Sequence, residues 1–272
     1  KVRVIPTLLY KSVGLVKGVG FNSWRRVDTV LPAIKVYNMR EVDELILVDI
    51  EATKEGRDPD YESIRDFSRE CFVPFCVGGG ICNIEQIRQL LRAGADKVAI
   101  NSAAYDNLEL ITEGARLFGS QCIVASIDCR KIDGSYRCFS HNGEVDTGYS
   151  LEEWVQKVVE AGAGEILLTS VELDGTMQGY DVEMIKIATE IVNVPVIASG
   201  GAGTKEHFHD ALTEGKAVTK ICTRQLRRAE HRRLQRRASI ILRNRHPGRQ
   251  RNIWESGAYR YESNNDSAGA PK

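Results

Sequence analysis

Asp128 is the residue best suited to chemistry by its type and its place in the sequence. It follows a mostly apolar run at 124–127, which predicts a buried strand that ends at this carboxylate. A carboxyl group that is partly removed from water has a raised pKa and suits proton transfer. We therefore predict that Asp128 is a catalytic acid or base. The alternative is an ion pair with Arg130 or Lys131 in the following loop.

Two glycine-rich turns each follow an apolar run and precede a helical pattern. One contains Gly79 and Gly80, and the other contains Ser199, Gly200 and Gly201. Glycine lets backbone N–H groups approach an anion closely, and the N-terminus of the following helix adds a partial positive charge. The pair of turns predicts a ligand with two phosphate groups. Alternatively, both turns need glycine only because their backbone has a positive φ.

Further polar residues at predicted strand ends and in the following loops complete the candidate substrate site: Asn101, Ser102, Thr169, Asp174 and Gly175. Asn101 and Ser102 can donate hydrogen bonds to phosphate, although asparagine at such a position also caps helices. The loop with Asp174 and Gly175 offers backbone donors and a carboxylate, or it is simply a solvated turn. Asp49, at another strand end, is expected to be structural or to orient a ligand.

The elements that must position these residues alternate along the first 220 residues. Strand patterns occur at 3–9, 44–50, 73–78, 96–100, 122–127, 165–169 and 194–198. Helical patterns occur near 28–40, 59–70, 83–93, 106–117, 150–161, 181–191 and 204–214. Seven strand-then-helix units predict parallel strands with helical crossovers. The first strand is predicted to run into a loop.

An internal repeat indicates that this α/β architecture is closed. The sequence ELILVD at 44–49 recurs as EILLTS at 165–170, and VGGG at 77–80 recurs as ASGG at 198–201, both at an offset of 121 residues. Twice this offset is close to the roughly 250 residues of an eight-stranded barrel. We predict a (βα)8 TIM barrel made of two half-barrel repeats, with its active site at the C-terminal strand ends. The eighth unit is the weakest, because only the short, polar VTKIC at 218–222 could supply its strand.

The last part of the chain differs in charge from the rest. Residues 223–272 carry 13 Lys or Arg against four Asp or Glu, although the net charge of the whole chain is zero. We predict a barrel over 1–222 and an Arg-rich divergent tail over 223–272 that is partly helical or disordered. A nucleic-acid partner is not expected, because no aromatic residue interrupts the arginine run before Trp254.

The composition excludes other classes of protein. No run of about 18 apolar residues is present, so neither a transmembrane helix nor a membrane partner is predicted. Seven cysteines, an odd number without zinc-type spacing, predict reduced thiols in a cytoplasmic protein. No metal site and no cofactor are predicted.

At the other end of the predicted strands, four charged residues occupy the first positions of strands one, two, four and six. They are Arg3, Glu44, Lys97 and Glu165. Two cations and two carboxylates at equivalent strand positions could form a salt-bridged ring around the barrel axis. The alternative is that each side chain is solvated at the start of its strand.

Ten motifs resemble the cyclase subunits of imidazole glycerol phosphate synthase. They are IP-x-L at 5–8, VKG at 16–18, DEL-x-LVDI at 43–50, VGGGI at 77–81, ADKVAIN at 95–101, FGSQ at 118–121, SID at 126–128, GAGEILLTS at 162–170, DGT-x-xGYD at 174–181 and VPVIASGGAG at 194–203. The resemblance covers about residues 3–216. It implies a (βα)8 barrel with a glutaminase subunit docked at the N-terminal face. Ammonia from that partner would travel through the barrel to a phosphorylated substrate at the other end.

The resemblance also implies roles for individual residues. Arg3, Glu44, Lys97 and Glu165 match the ammonia gate of the family. Gly80, Asn101, Asp174, Gly175, Ser199 and Gly201 match phosphate or substrate positions. Asp128 matches one of two essential aspartates. The other aspartate, in the family motif IPCLD, is absent here because the chain reads IPTLL, with Leu9 in its place. Leucine cannot exchange a proton, so a two-carboxylate mechanism lacks one partner.

The departure at Leu9 resembles a paralogous branch found with surface-polysaccharide genes, which reads IP-x-LL at this place. That branch is thought to deliver ammonia for acetamidino-sugar synthesis, with a glutaminase-like partner and a separate sugar amidotransferase. We therefore favour the hypothesis that the chain uses ammonia in the amidation of a surface-polysaccharide sugar. One alternative is the lyase and cyclase that makes imidazole glycerol phosphate in histidine biosynthesis. Another is a non-catalytic scaffold that docks a glutaminase.

Overall fold

The computed structural model describes residues 3–12, 14–215 and 217. Its strands are β1 (Thr7–Lys11), β2 (Gly14–Val19), β3 (Asn22–Asp28), β4 (Leu45–Asp49), β5 (Phe75–Gly78), β6 (Lys97–Ile100), β7 (Ile123–Ile132), β8 (Ser135–Ser140), β9 (Val145–Ser150), β10 (Glu165–Ser170) and β11 (Val196–Ser199). Its α-helices are α1 (Val30–Met39), α2 (Ala52–Glu55), α3 (Tyr61–Glu70), α4 (Ile84–Arg92), α5 (Ser102–Asp106), α6 (Glu109–Phe118), α7 (Leu151–Glu160), α8 (Val182–Ile191) and α9 (Lys205–Thr213).

Seven of these strands form one curled parallel sheet in the order β1, β4, β5, β6, β7, β10 and β11. A helix precedes each next parallel strand, and α9 follows the last one. The seven predicted strand–helix units and the βα-barrel class are therefore confirmed. Residues 218–222, predicted to supply the eighth strand, and the predicted tail at 223–272 lie outside the described residues.

Alternate side chains of the parallel strands separate into two apolar layers. One layer fills the barrel interior with Ile5, Ile46, Cys76, Ala99, Val124, Leu167 and Ile197. The residues between them, such as Leu45 and Leu47, belong to the larger core that packs the sheet against the helices. Because both faces are covered, these strands read as continuous apolar runs. Within the described ranges, no helix is long and apolar enough to cross a membrane.

The two halves of the barrel repeat in backbone conformation as well as in sequence. Gly79 and Gly200 have φ values of +104° and +87°, and Gly80 and Gly201 have values of +72° and +96°. Each pair follows an equivalent strand, β5 or β11, and precedes an equivalent helix, α4 or α9. The predicted half-barrel repeat is thus present at these turns.

The segment after β1 differs from its prediction. A loop is predicted there, but β2 turns back and pairs antiparallel with β1, with Leu9 opposite Val16, and β3 continues the hairpin. A second hairpin, formed by β8 and β9, extends from β7. Most residues of β3 and β9 are exposed or only partly buried. Their sequences therefore lack the apolar alternation that marks a half-buried strand.

Candidate active site

A cavity of about 370 Å³ lies at the C-terminal ends of the parallel strands. Its wall includes every residue predicted for catalysis or substrate binding: Asp128, Gly79, Gly80, Asn101, Ser102, Thr169, Asp174, Gly175, Ser199, Gly200 and Gly201. Leu9, on β1, lines the same cavity. The described residues contain no cluster of three His, Cys, Asp or Glu side chains that could hold a metal ion.

Asp128 lies on β7 and is only 7% exposed. Its Oδ2 accepts a hydrogen bond from Nδ2 of Asn101 at 2.7 Å. Burial raises the pKa of Asp128 to about 7, although the hydrogen bond from Asn101 opposes the rise and the charge of Asp174 adds to it. The carboxyl group can therefore gain or lose a proton near neutral pH.

The cations that follow Asp128 in the sequence are engaged elsewhere. The Arg130 guanidinium donates to the carbonyl oxygen of Gly143 at 3.2 Å. Lys131 forms an ion pair with Glu183. Among the described residues, Asp128 therefore forms no ion pair with Arg130 or Lys131, which was the alternative interpretation.

Both glycine turns are sterically closed to other residues. A Cβ atom on Gly79 would lie 2.1 Å from a carbonyl oxygen, and one on Gly201 would lie 1.9 Å from another. The N–H of Gly80 donates to Oγ1 of Thr53 at 3.3 Å, so a bound phosphate would share or replace this long hydrogen bond. Turn geometry alone accounts for these glycines, and phosphate binding stays a prediction.

Asn101 and Ser102 each keep some hydrogen-bonding capacity for a ligand. Asn101 precedes α5, but its side chain makes no capping hydrogen bond and instead donates to Asp128. Its buried Oδ1 has no hydrogen-bond partner among the described residues. The Ser102 hydroxyl accepts from the backbone N–H of His141 at 3.0 Å, which leaves its hydrogen to donate. Asn101 therefore offers an acceptor to a ligand, and Ser102 offers a donor.

The cavity wall also includes residues with hydrogen-bonding side chains that the sequence does not predict as site residues, among them Lys17, Trp24, Arg57 and His141. The first two lie on the unpredicted β2–β3 hairpin, and His141 follows β8. The VKG motif at 16–18 could have identified Lys17, whereas the others have no sequence signal. Asp49 holds Arg57, because Nη2 of Arg57 donates to Oδ1 of Asp49 at 3.0 Å and Nη1 forms an ion pair with Oδ2 at 2.8 Å. Asp49 thus orients a cation at the cavity wall.

At the opposite end of the barrel, Arg3, Glu44, Lys97 and Glu165 form a closed cycle of ion pairs. Nη1 of Arg3 lies 3.0 Å from Glu44 Oε2, and its Nη2 lies 2.8 Å from Glu165 Oε1. Nζ of Lys97 lies 2.9 Å from an oxygen of each glutamate. Burial acts to lower the pKa of Lys97, but the two glutamates outweigh it, and the pKa is raised. Each buried carboxylate therefore bridges two cations.

Comparison with known proteins identifies the family to which this barrel belongs. The family model described as histidine biosynthesis protein matches residues 3–226. The chain belongs to this family. The match covers the ion-pair cycle, every predicted cavity residue and the stretch at 218–222.

Three relatives within the histidine biosynthesis family carry the name imidazole glycerol phosphate synthase subunit HisF. The protein of Lachnoclostridium phytofermentans is 47% identical over 218 residues, which cover 79% of this chain and 84% of the relative. That of Chlorobaculum tepidum is 44% identical over 215 residues, with 79% and 86% covered. That of Streptococcus sanguinis is 43% identical over 219 residues, with 80% and 87% covered. These names favour the cyclase alternative over the polysaccharide role that the sequence at Leu9 led us to prefer.

Proposed function

We propose that the chain is the synthase subunit of a glutamine-dependent enzyme pair, which receives ammonia at the ion-pair cycle and uses it on a phosphorylated substrate in the cavity. The reaction best supported by the names of its relatives is the formation of imidazole glycerol phosphate, with an aminoimidazole carboxamide ribonucleotide as the second product. The observation that carries the proposal is the environment of Asp128 in the cavity. This buried carboxyl group titrates near neutral pH in the same cavity as both glycine turns.

The route for ammonia follows the barrel axis. The ion-pair cycle lies at the N-terminal end, where the glutaminase partner docks. The apolar interior layer comes next along the strands, and it includes the small side chains of Cys76 and Ala99. An apolar layer admits neutral ammonia more readily than ammonium, because burying an unpaired charge is costly. The nitrogen therefore arrives in the cavity as a nucleophile.

The cavity then supplies binding and proton transfer. The two glycine turns, backed by the N-termini of α4 and α9, hold the substrate phosphates through backbone N–H groups. Ammonia adds to a carbonyl carbon of the substrate between them. Asp128 gives a proton to the developing alkoxide oxygen and takes one back later in the reaction. A positioned acid or base of this kind typically accelerates its step by about 10²–10⁴-fold.

Leu9 favours a second candidate function. It lines the cavity from the middle of β1, at the position where the resembled cyclases place their other essential aspartate. A leucine there removes one proton-transfer group, which a simple amidation needs less than a cleavage with ring closure. Amidation of a surface-polysaccharide sugar, with a sugar amidotransferase as a further partner, is therefore the second candidate.

A turnover assay separates the two candidates. The purified chain is mixed with the phosphoribulosyl substrate of the cyclase and an ammonium salt, and both products are measured. The cyclase function predicts turnover by the wild-type chain and a loss of about 10²-fold or more in Asp128→Asn. Leu9→Asp tests the missing carboxylate, and Leu9→Asn is its non-ionising control. Turnover in Leu9→Asp alone would support the second candidate, and no turnover in any variant would contradict the cyclase function.

A further inference from the structure

His141 is a titratable side chain of the cavity with no role so far. It follows β8, which pairs with β7 so that Phe139 lies opposite Asp128. His141 is two residues beyond Phe139, and it shares the cavity wall with Asp128. Among the described residues of that wall it is the sole histidine. The hairpin thus delivers an imidazole to the site that already holds the buried carboxyl group.

The backbone at this turn has two consecutive residues in the left-handed region. His141 has a φ of +51° and Asn142 a φ of +60°. Residues other than glycine seldom adopt such values, and those that do cluster at functional sites. The N–H of His141 donates to Ser102 Oγ at 3.0 Å, and the Asn142 amide donates to the carbonyl oxygen of Ile50 at 2.6 Å. These bonds tie the turn to the chain after β6 and after β4, so the imidazole is fixed over the strand ends.

The imidazole ring has one oriented nitrogen and one available nitrogen. Nδ1 lies 3.0 Å from Oγ of the buried Ser140. Nε2 has no hydrogen-bond partner within the part of the chain that the structure describes. In many enzymes, the base that activates a nucleophile is itself oriented by a hydrogen bond to a third group. Ser140 is placed to orient the imidazole ring of His141 in this way.

We propose that His141 is a catalytic residue whose Nε2 is the second proton-transfer group of the cavity, in the place of the carboxylate that Leu9 does not provide. This inference rests on the proposed use of ammonia in the cavity. It applies to either candidate reaction, because both begin with ammonia and an electrophilic carbon.

The proton transfers balance between the two residues. The lone pair of ammonia forms a bond to the carbonyl carbon, and the C=O π electrons move to oxygen. Protonated Asp128 gives its proton to that oxygen, and neutral His141 takes a proton from the nitrogen. The imidazolium then protonates the hydroxyl, which leaves as water as the C=N bond forms, and the Asp128 carboxylate takes the next proton from nitrogen. Both residues return to their starting states.

His141→Asn is the variant that isolates this role. Asparagine adopts a positive φ more readily than most residues, so it retains the turn and its N–H donor. Its amide can stand opposite Ser140, but no group replaces Nε2. In ammonium-dependent turnover, kcat should fall about 10²-fold or more, with KM changed less than about twofold. A kcat within about twofold of the wild-type value would overturn the proposal.

A binding measurement tests the contact without turnover and decides the question if the wild-type chain does not turn over. The probe is ribulose 1,5-bisphosphate, a ketose with two phosphate groups, added to protein with ¹³C-labelled histidine and ¹⁵N-labelled glycine. The ring signals of His141 should shift, and those of the exposed His209 should not. The amide signals of Gly80 and Gly201 report phosphate binding in the same sample.

The NMR signals distinguish a failure of the proposed role of His141 from a failure of the proposed phosphate site. If the glycine signals move and the His141 ring does not, His141 does not touch the substrate and the proposal is wrong. If neither moves, the two-phosphate site of the proposed function is wrong, and the role of His141 falls with it.

Discussion

Asparagine in place of Asp128 is expected to stabilise the fold at alkaline pH while it removes proton transfer. The variant keeps the side-chain shape and an oxygen that can accept the hydrogen bond from Asn101. Burial raises the pKa of Asp128 from 3.8 to about 7 in the folded chain. Each pKa unit corresponds to about 1.4 kcal/mol, so the folded state disfavours the carboxylate by about 4 kcal/mol.

The expected gain depends on pH. Below about pH 4 the carboxyl group is protonated in both the folded and the unfolded chain, so folding does not bury a charge at Asp128. Between about pH 4 and pH 7 the unfolded chain loses the proton and the folded chain keeps it. The free energy of unfolding of the wild type therefore falls by about 1.4 kcal/mol per pH unit relative to the variant, and the fall ends above about pH 7. From pH 5 to pH 8, Asp128→Asn should gain about 3 kcal/mol on the wild type.

Urea denaturation at pH 5, 6, 7 and 8 measures this difference. Asp66→Asn is the control, because Asp66 lies on the exposed surface of α3. Its difference from the wild type should stay within about 0.5 kcal/mol at every pH. A difference between Asp128→Asn and the wild type that is equal at pH 5 and pH 8 would refute the raised pKa.

The remaining predictions concern the surroundings of this carboxyl group, the ion-pair cycle and the glycine turns. Asn101→Ala removes a hydrogen bond that lowers the pKa of the buried carboxyl group, whereas Asp174→Asn removes a charge that raises it. Carboxyl ¹³C NMR titrations should show displacements in opposite directions, and a common direction would contradict the stated causes. Lys97→Met leaves two buried glutamates with one cation, so urea denaturation should show a loss of about 3 kcal/mol, and a loss below about 0.5 kcal/mol would count against a coupled cycle. Gly201→Ala should cost several kcal/mol because its Cβ would meet a carbonyl oxygen at 1.9 Å. Gly134 has a φ of +84°, but a Cβ atom added there would have no atom within 4 Å, so Gly134→Ala should cost only about 1–2 kcal/mol. Equal losses of stability in Gly201→Ala and Gly134→Ala, measured by thermal unfolding, would contradict the steric argument.

The parallel strands and their helices could be predicted because burial on both faces leaves unbroken apolar runs such as that at 45–48. The sharing of one cavity by Asp128 and both glycine turns also follows from topology, since parallel strands end on the same side of a barrel. The 121-residue repeat also predicts that the two glycine turns occupy equivalent positions in the two half-barrels. These features depend on periodicity and chain order, which a sequence contains.

Other features depend on contacts between segments that have no pattern of their own. The choice between a buried acid and an ion pair at Asp128 depends on where Arg130 goes, and Arg130 bonds to the β8–β9 turn. That hairpin is too exposed to be recognised, so the environment of Asp128 could not be derived. The presence of His141 in the cavity could not be predicted for the same reason, because His141 lies in the turn of this hairpin. The importance of Leu9 comes from resemblance to a family and not from the physical chemistry of a leucine in an apolar strand.

The ion-pair cycle has a consequence for the order of folding events. Arg3 and Glu165 are separated by 162 residues, so their contact joins segments that are far apart in the described part of the chain. Bringing such distant segments together is entropically costly and slow. Arg3, Glu44 and Lys97 belong to the first half-barrel, which leaves the ribosome earlier and holds two cations against one carboxylate until Glu165 is added. The cycle therefore closes only after the halves have docked, and it resists unfolding more than it hastens folding.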